Sequence, residues 1–408
     1  MRIGLYLALA GSSLACLPWM NDAFGMVKVL VALVGVAWMW ANTPREMFRG
    51  TQLDGSILVG FAVLVASTVF SVSPKLSLLG FQSQPFYGLL ALSCAALIFH
   101  AVNANCYDWQ DGPALCCAVV AIATGFACII EKAGFGLPPF DLVGPGRAIG
   151  TIGNPAFMGT VVAVCVPACV WLASDDVEHW QVGRFAVLMC LVAMWASGSR
   201  GPWLAAGCGL LAYQAAMGNI SKRVAVWSSV LAACAAVMWF SRLDPSDTGR
   251  YGTWLIALKG GFRYPLLGWG PDTFFVANVA IDRTAREMQA SAHNDILQAW
   301  CTTGLLGLSA YMWLWWKVLR AAWFPVWGDG RHAAVFGSLV ALFVAAKFNP
   351  VPSPAMFLCA ALLGSLGLRV GASRWTWAIG AFVLLVAPGL AATSVIQDGS
   401  GTVEARVR

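Results

Sequence analysis

The chain has 408 residues, 59% of them hydrophobic and only 11% charged, with a mean hydropathy of +0.72. That composition excludes an ordinary soluble domain, and apolar runs of about 17–22 residues recur along it, the length that crosses a bilayer core. The formal net charge of +6 calls for no nucleic-acid partner, because polytopic membrane proteins gather Lys and Arg in their inner loops.

The apolar runs fall near residues 3–20, 24–41, 56–71, 86–104, 113–131, 155–173, 185–198, 201–218, 224–240, 294–316, 332–348, 354–369 and 375–396. They predict an all-α polytopic membrane protein with about 12–13 transmembrane helices, one integral membrane domain over 1–408. The first run reads as the first span, not a cleaved signal peptide. Residues 185–218 form one apolar block of 34 residues, which as a single helix would extend about 51 Å. It is expected to divide at Ser197-Gly198-Ser199-Arg200-Gly201-Pro202.

With the N-terminus inside, the inner segments hold Arg2, Arg45, Arg49, Arg184, Lys222, Arg223, Lys317, Arg320, Arg331, Arg369 and Arg374, while the short outer loops hold little beyond Lys75 and Arg200. The positive-inside rule favours this arrangement, and an odd span count puts the tail QDGSGTVEARVR outside. Two long connections, 132–154 and 241–293, fall on the outer side. In the second, Thr253–Lys259 reads as a short amphipathic helix along the membrane surface, and PLLGWGPDTF as a tight irregular turn.

Most of the thirteen cysteines lie inside apolar runs and read as small apolar fillers. No CxxC, HExxH or phosphate-binding loop appears, and Glu131, Asp141 and Asp272 are too dispersed for a divalent cation. Asp175-Asp176 reads as a solvated inner turn. Neither a metal nor a cofactor is expected.

Parity carries the functional reading. Two spans separate Arg147 from Arg200, two more separate Arg200 from Arg250, and Arg250 shares a loop with His293. All four therefore lie on one face. Three guanidinium groups and an imidazole there suit an anionic, phosphorylated ligand, since Arg offers a rigid fork of donors and stays charged. Each has a plainer reading. Arg200 is a snorkelling anchor, Arg147 and Arg250 are ordinary loop charges, and His293 is incidental to a helix capped by Ser291 or Asn294. Arg242, Lys259, Arg263, Arg283 and Arg286 share that side as solvated charges or headgroup contacts.

The order GTIGNPAFMG (150–159), SGSRGPWLAA (197–206), GRYGTWLIAL followed by YPLLGWGPDTF (249–275), and HNDILQAWCTTGLLGL (293–308) resembles the O-antigen ligase/polymerase superfamily over roughly residues 145–310. The resemblance implies a GT-C-like fold with a large periplasmic loop at 241–293. It also implies metal-independent transfer of a glycan from an undecaprenyl-pyrophosphate carrier, on the periplasmic face of the bacterial inner membrane. The acceptor would be lipid A-core, a growing glycan or a protein. Arg200 and Arg250 match the arginines taken to hold the pyrophosphate, and His293 the histidine proposed to activate the acceptor hydroxyl. Asn154 and Trp269 match motif positions and, with Arg147 and Asn294, are expected to line the substrate site. Thr302 stands where the family often has Glu, and Gln82–Gly88 lacks the usual Arg before Gly. Protein-modifying members often carry a further C-terminal region, which this chain lacks after its last run; that favours ligase or polymerase. A transporter of an anionic lipid-linked substrate is the alternative from another class. It predicts charges near the midplane and paired broken helices. The oligomeric state is not legible.

Overall fold

A computed structural model of the protein describes residues 2–17, 24–81, 87–135, 146–174, 177–219, 246–282, 289–323 and 329–372. The expected spans 224–240 and 375–396, the tail, Asp141, Asp175-Asp176, Arg242, Arg283, Arg286 and the stretch 82–86 lie outside them.

Apolar composition over the required length, with polar residues at the ends, produces the helices in the expected places. They are α1 (Arg2–Tyr6, extended by a π turn Leu7–Gly11 and by Ser12–Leu14), α2 (Met26–Ala41), α3 (Asp54–Val69), a short α4 (Pro74–Leu79), α5 (Leu89–Ala104), α6 (Gly112–Lys132) and α7 (Pro155–Leu172). Then follow α8 (Trp180–Ser197), α9 (Arg200–Ala216), α10 (Ser246–Arg263), α11 (Phe274–Ile281), α12 (Asp295–Trp323), α13 (Gly330–Ala345) and α14 (Ser353–Gly364). The apolar block 185–218 divides where expected, between Ser197 and Arg200. Helices α6, α7 and α8 are long and apolar enough to cross a membrane; α2, α3, α5, α13 and α14 are shorter apolar helices.

Helix α7 is the axis of the bundle. Its apolar window is 78% buried, against 44% for α8, which lies at the rim. It packs on α6, α8, α9 and α13. Hydroxyls inside the helices hide themselves by bonding a carbonyl one turn earlier, as Ser12, Ser93 and Thr160 do. Lys28, read as the notable mid-span charge, is only 2% exposed. Its ammonium donates to the carbonyls of Ser13, Ala15 and Thr151 at 2.7–2.8 Å, tying the end of α1 to the turn before α7. At the end of the bundle opposite Arg200, a two-stranded ribbon pairs β1 (Arg49–Thr51) with β2 (Arg369–Ala372). There Arg369 caps α5 through the carbonyls of Asn103 and Ala104.

The largest departure from the sequence reading is α12, expected as one span over 294–316. Gly304 has φ 64° and ψ −163°, which breaks the helix. Asp295 and Tyr311 would stand about 24 Å apart along a straight helix, yet the Tyr311 hydroxyl donates to the Asp295 carboxylate. The arm 295–303 therefore folds back along 305–323. Only the second arm packs in the bundle as a crossing helix, its Trp315 against Phe343 and its Trp323 against Phe336 of α13.

The expected turn PLLGWGPDTF fills the break. Leu305 and Leu306 amides donate to the carbonyls of Pro265 and Leu266, and Trp269 and Gly270 amides donate to those of Cys301 and Thr302, at 2.8–3.2 Å. Four peptide groups released by the break are satisfied by the turn, which takes the place of a missing stretch of helix. The end of α3 and the segment on either side of α4 support it: Ser67 Oγ donates to Leu267 O, Val72 N to Trp269 O, and Phe81 N to Asp272 Oδ2. The amphipathic stretch expected at 253–259 is part of the longer α10. Together with α11 and the arm 295–303, α10 encloses its own apolar cluster of Ile256, Ala257, Trp269, Phe274, Ala277, Ala292 and Cys301. What reads as a long loop is largely a small folded subdomain.

Candidate functional site

The first component is the Arg200 turn. Helix α8 ends with free carbonyls, and the segment after α6 takes them up. Ala148 N donates to Ala196 O, Arg147 Nε to Ser197 O at 2.9 Å, and Arg147 Nη2 to Ser199 Oγ at 2.6 Å. Arg147 thus holds the turn from which Arg200 springs. Pro202 is tolerated in the first turn of α9, where its amide would have no helical partner. Arg200 is exposed at the start of α9, where unpaired amides and the helix dipole add positive potential to its guanidinium.

His293 is the second. It is one of two non-glycine residues with positive φ among those described, at 52°; Asp272 is the other. Such a conformation is uncommon and persists only when its surroundings fix it. Here three side chains do so. Ser291 Oγ accepts from His293 N, Gln298 Oε1 from Ala292 N, and Asn294 Oδ1 from the Ile296 and Leu297 amides. Asn294 is therefore the cap of the arm, and Ser291 braces the residue before it. The imidazole Nε2 lies 3.2 Å from Gln289 Oε1, while Nδ1 is buried and finds no hydrogen-bond partner among the described residues. With Nε2 donating to Gln289, Nδ1 carries the free lone pair.

Burial, and then the charge of Arg250, push the His293 pKa down to about 4. Arg250, in α10, is near enough for its charge to oppose protonation of the imidazole. The sign has a testable consequence. The folded chain resists a proton that the unfolded chain binds below the ordinary value of 6.5, so stability is full above that value and falls as pH drops toward 4. Thermal unfolding in detergent should show wild type losing stability relative to His293→Gln across that window. Parallel pH profiles would remove the burial and Arg250 account.

The turn after α13 joins the two components. Asp295 N donates to Ala346 O at 3.0 Å, and Lys347 Nζ lies 2.7 Å from both Asp295 oxygens. On the other side, a Cβ on Gly201 would come within 3.2 Å of Asn349 Nδ2 and within 3.8 Å of Phe348. The starts of α9 and of the His293 arm therefore rest on one turn, 346–349. Arg200, Arg250 and His293 share that end of the molecule.

The other expected residues make contacts within the protein. Asn154 Oδ1 caps α7, accepting from the Ala156 and Phe157 amides. Trp269 is 4% exposed, donates to Gly260 O, and meets Tyr264 edge-on at 4.8 Å with the Arg263 guanidinium over its ring. Thr302, at the position where Glu is frequent, is buried and bonds back to Gln298 O. The sequence reading passed over Asp295, Tyr311, Gln289 and Lys347. For Lys347 the signal existed, since a lysine at the outer end of an expected span is as unusual under the positive-inside rule as Arg200. Among the described residues no three His, Cys, Asp or Glu side chains gather where they could hold a metal ion.

A helical bundle of this apolarity defines a multi-pass membrane protein. Residues 185–312 match the family described as O-antigen ligase, from within α8 to within α12, and the match supports membership of the O-antigen ligase superfamily. It includes Arg200, Arg250 and His293, and it supports glycan transfer of the ligase/polymerase type. No curated protein matches the chain as a relative.

Proposed function

We propose that the protein moves a glycan from an undecaprenyl-pyrophosphate carrier to an acceptor hydroxyl at the periplasmic face of the bacterial inner membrane, with lipid A-core as the acceptor. The acceptor oxygen attacks the anomeric carbon, and the bond from that carbon to the lipid pyrophosphate breaks with its electron pair leaving on the phosphate oxygen. The hydroxyl proton passes to the His293 imidazole. Arg200 and Arg250 take up the charge that grows on the leaving pyrophosphate, in place of a metal ion. Arg147, Asn154, Trp269 and Asn294 shape the walls through the contacts described above, and the exposed aromatic rings of α10 offer stacking faces for sugars. The observation that carries this reading is that the Arg200 turn and the His293 arm rest on one turn, 346–349, with Arg250 near enough to His293 for its charge to act on the imidazole.

The transporter reading leans on broken helices that present peptide groups to a cargo. The break at Gly304 gives it little support, because the turn 265–270 already occupies four of those groups.

The test uses the full chain in phosphatidylethanolamine/phosphatidylglycerol vesicles with an undecaprenyl-pyrophosphate oligosaccharide and lipid A-core. Arg200→Ala, Arg250→Ala and His293→Ala should each lower transfer by about 100-fold or more at equal abundance. Undiminished transfer by all three would end the assignment. Longer chains on the carrier would mark a polymerase, and modified protein a protein transferase.

A further inference from the structure

Asp295 sits at a crossing that the proposed chemistry does not use. It is 4% exposed and lies two residues after His293. Its carboxylate receives Lys347 Nζ at 2.7 Å on both oxygens and the Tyr311 hydroxyl, and its amide donates to Ala346 O. The Tyr87 hydroxyl accepts from Val351 N at 3.0 Å, just past the turn 346–349. One carboxylate thereby fastens the His293 arm to the crossing arm 305–323 through Tyr311 and to the 346–349 turn through Lys347. That same turn abuts Gly201, next to Arg200. Because Gly304 interrupts α12, the helix itself cannot fix the arm's direction relative to the bundle. The side-chain latch and the docked turn do so.

Resting on the glycan-transfer reading, we propose that Asp295 and Lys347, with Tyr311, are positioning residues that set the His293 imidazole against Arg200. The Asp295 carboxylate takes two of the three Lys347 ammonium donors, which ties the lysine to the arm. An ion pair buried in this way is poor as a source of stability and well suited to fixing one geometry. Misplacing a reacting group by about 1 Å lowers turnover by about 100-fold, so the latch acts on kcat.

The decisive variant removes both charges. Single loss of Lys347 strands a buried carboxylate and threatens folding, whereas Asp295→Asn with Lys347→Met replaces the pair by neutral groups of similar size, which folded proteins tolerate. In the vesicle assay with undecaprenyl-pyrophosphate oligosaccharide and lipid A-core, the double variant should lose about 10- to 100-fold in kcat. Donor KM should stay within about threefold of wild type, the pattern of a lost transition-state arrangement. Lys347→Arg, which keeps the pair, should restore most of the activity. In a His293→Ala background the double variant should lose nothing further, since the latch works through the imidazole. Unchanged kcat, a rise in donor KM alone, or a full additional loss on top of His293→Ala would each overturn the proposal. Wild type transferring glycan while these outcomes appear would confine the failure to the latch. No transfer by wild type would remove the glycan-transfer reading and the latch with it.

Discussion

Gly304→Ala should unfold the site-bearing subdomain while the bundle helices remain inserted. At φ 64° and ψ −163° the backbone lies in a region that essentially only glycine enters, and an added Cβ would meet Leu266 C and O at 2.5 Å and Gly268 N at 2.8 Å. These are backbone atoms that cannot swing aside. Gly268 is the mirror case: with φ 68°, its Cβ would fall 2.3 Å from Thr302 C and 2.4 Å from Thr303 N. Conformational strain and collision together should destabilise each variant by roughly 3–5 kcal/mol. Four hydrogen bonds between 265–270 and 301–306 would be strained at once. Thermal unfolding in detergent, alongside protease sensitivity of 246–303, measures this. Gly60→Ala in α3 is the control. Nothing lies within 4 Å of its Cβ, and it should be neutral or stabilising by up to about 1 kcal/mol. A wild-type midpoint for Gly304→Ala would mean that the helix can run straight and that the fold-back is dispensable.

Arg200→Lys and Arg250→Lys separate charge from geometry. Both keep a cation at the site, so simple electrostatic attraction survives. The planar fork that grips two phosphate oxygens at once does not, and ammonium is more strongly hydrated. Turnover should fall about 10- to 100-fold in each, less than in the Ala variants, because about half of a bidentate, charge-assisted contact is kept. Full activity in both would show that positive potential alone suffices and would leave the guanidinium geometry without a role. Neither substitution should move the unfolding midpoint much, since Arg200 is exposed and Arg250 only partly buried.

Hydropathy made the bundle legible because lipid imposes both length and composition on anything that crosses it. The turn at 197–202 could be read because no bilayer accommodates a helix of 34 residues without a break. The fold-back at Gly304 was hidden for the opposite reason. Both arms are apolar, one facing the small cluster around Trp269 and the other the bundle, so no polar gap marks the reversal. Its only trace is the pair of glycine-punctuated stretches, LLGWG and TTGLLG, that interlock. Arg200, Arg250 and His293 could be placed on one face by counting spans, an argument that needs no distances. The Asp295–Lys347 pair could not, because its partners stand 52 residues apart, one at the start of α12 and the other in the turn after α13. Of the two caps the sequence offered, Ser291 or Asn294, the structure uses Asn294, while Ser291 braces His293, so the polar tripeptide His293-Asn294-Asp295 divides its work. One member caps the arm, one latches it and one presents an imidazole.

Translation runs from the N-terminus, and the contacts that close the site span most of the coding sequence. Ser67 waits for Leu267, two hundred residues downstream, and Asp295 waits for Lys347. Contacts this distant in sequence form late. A nascent chain that ends after α10 therefore holds Arg200 and Arg250 but lacks His293, Asp295 and Lys347. The Asp295–Lys347 contact can close only once residue 347 has emerged, so the arm is fastened among the last steps of assembly.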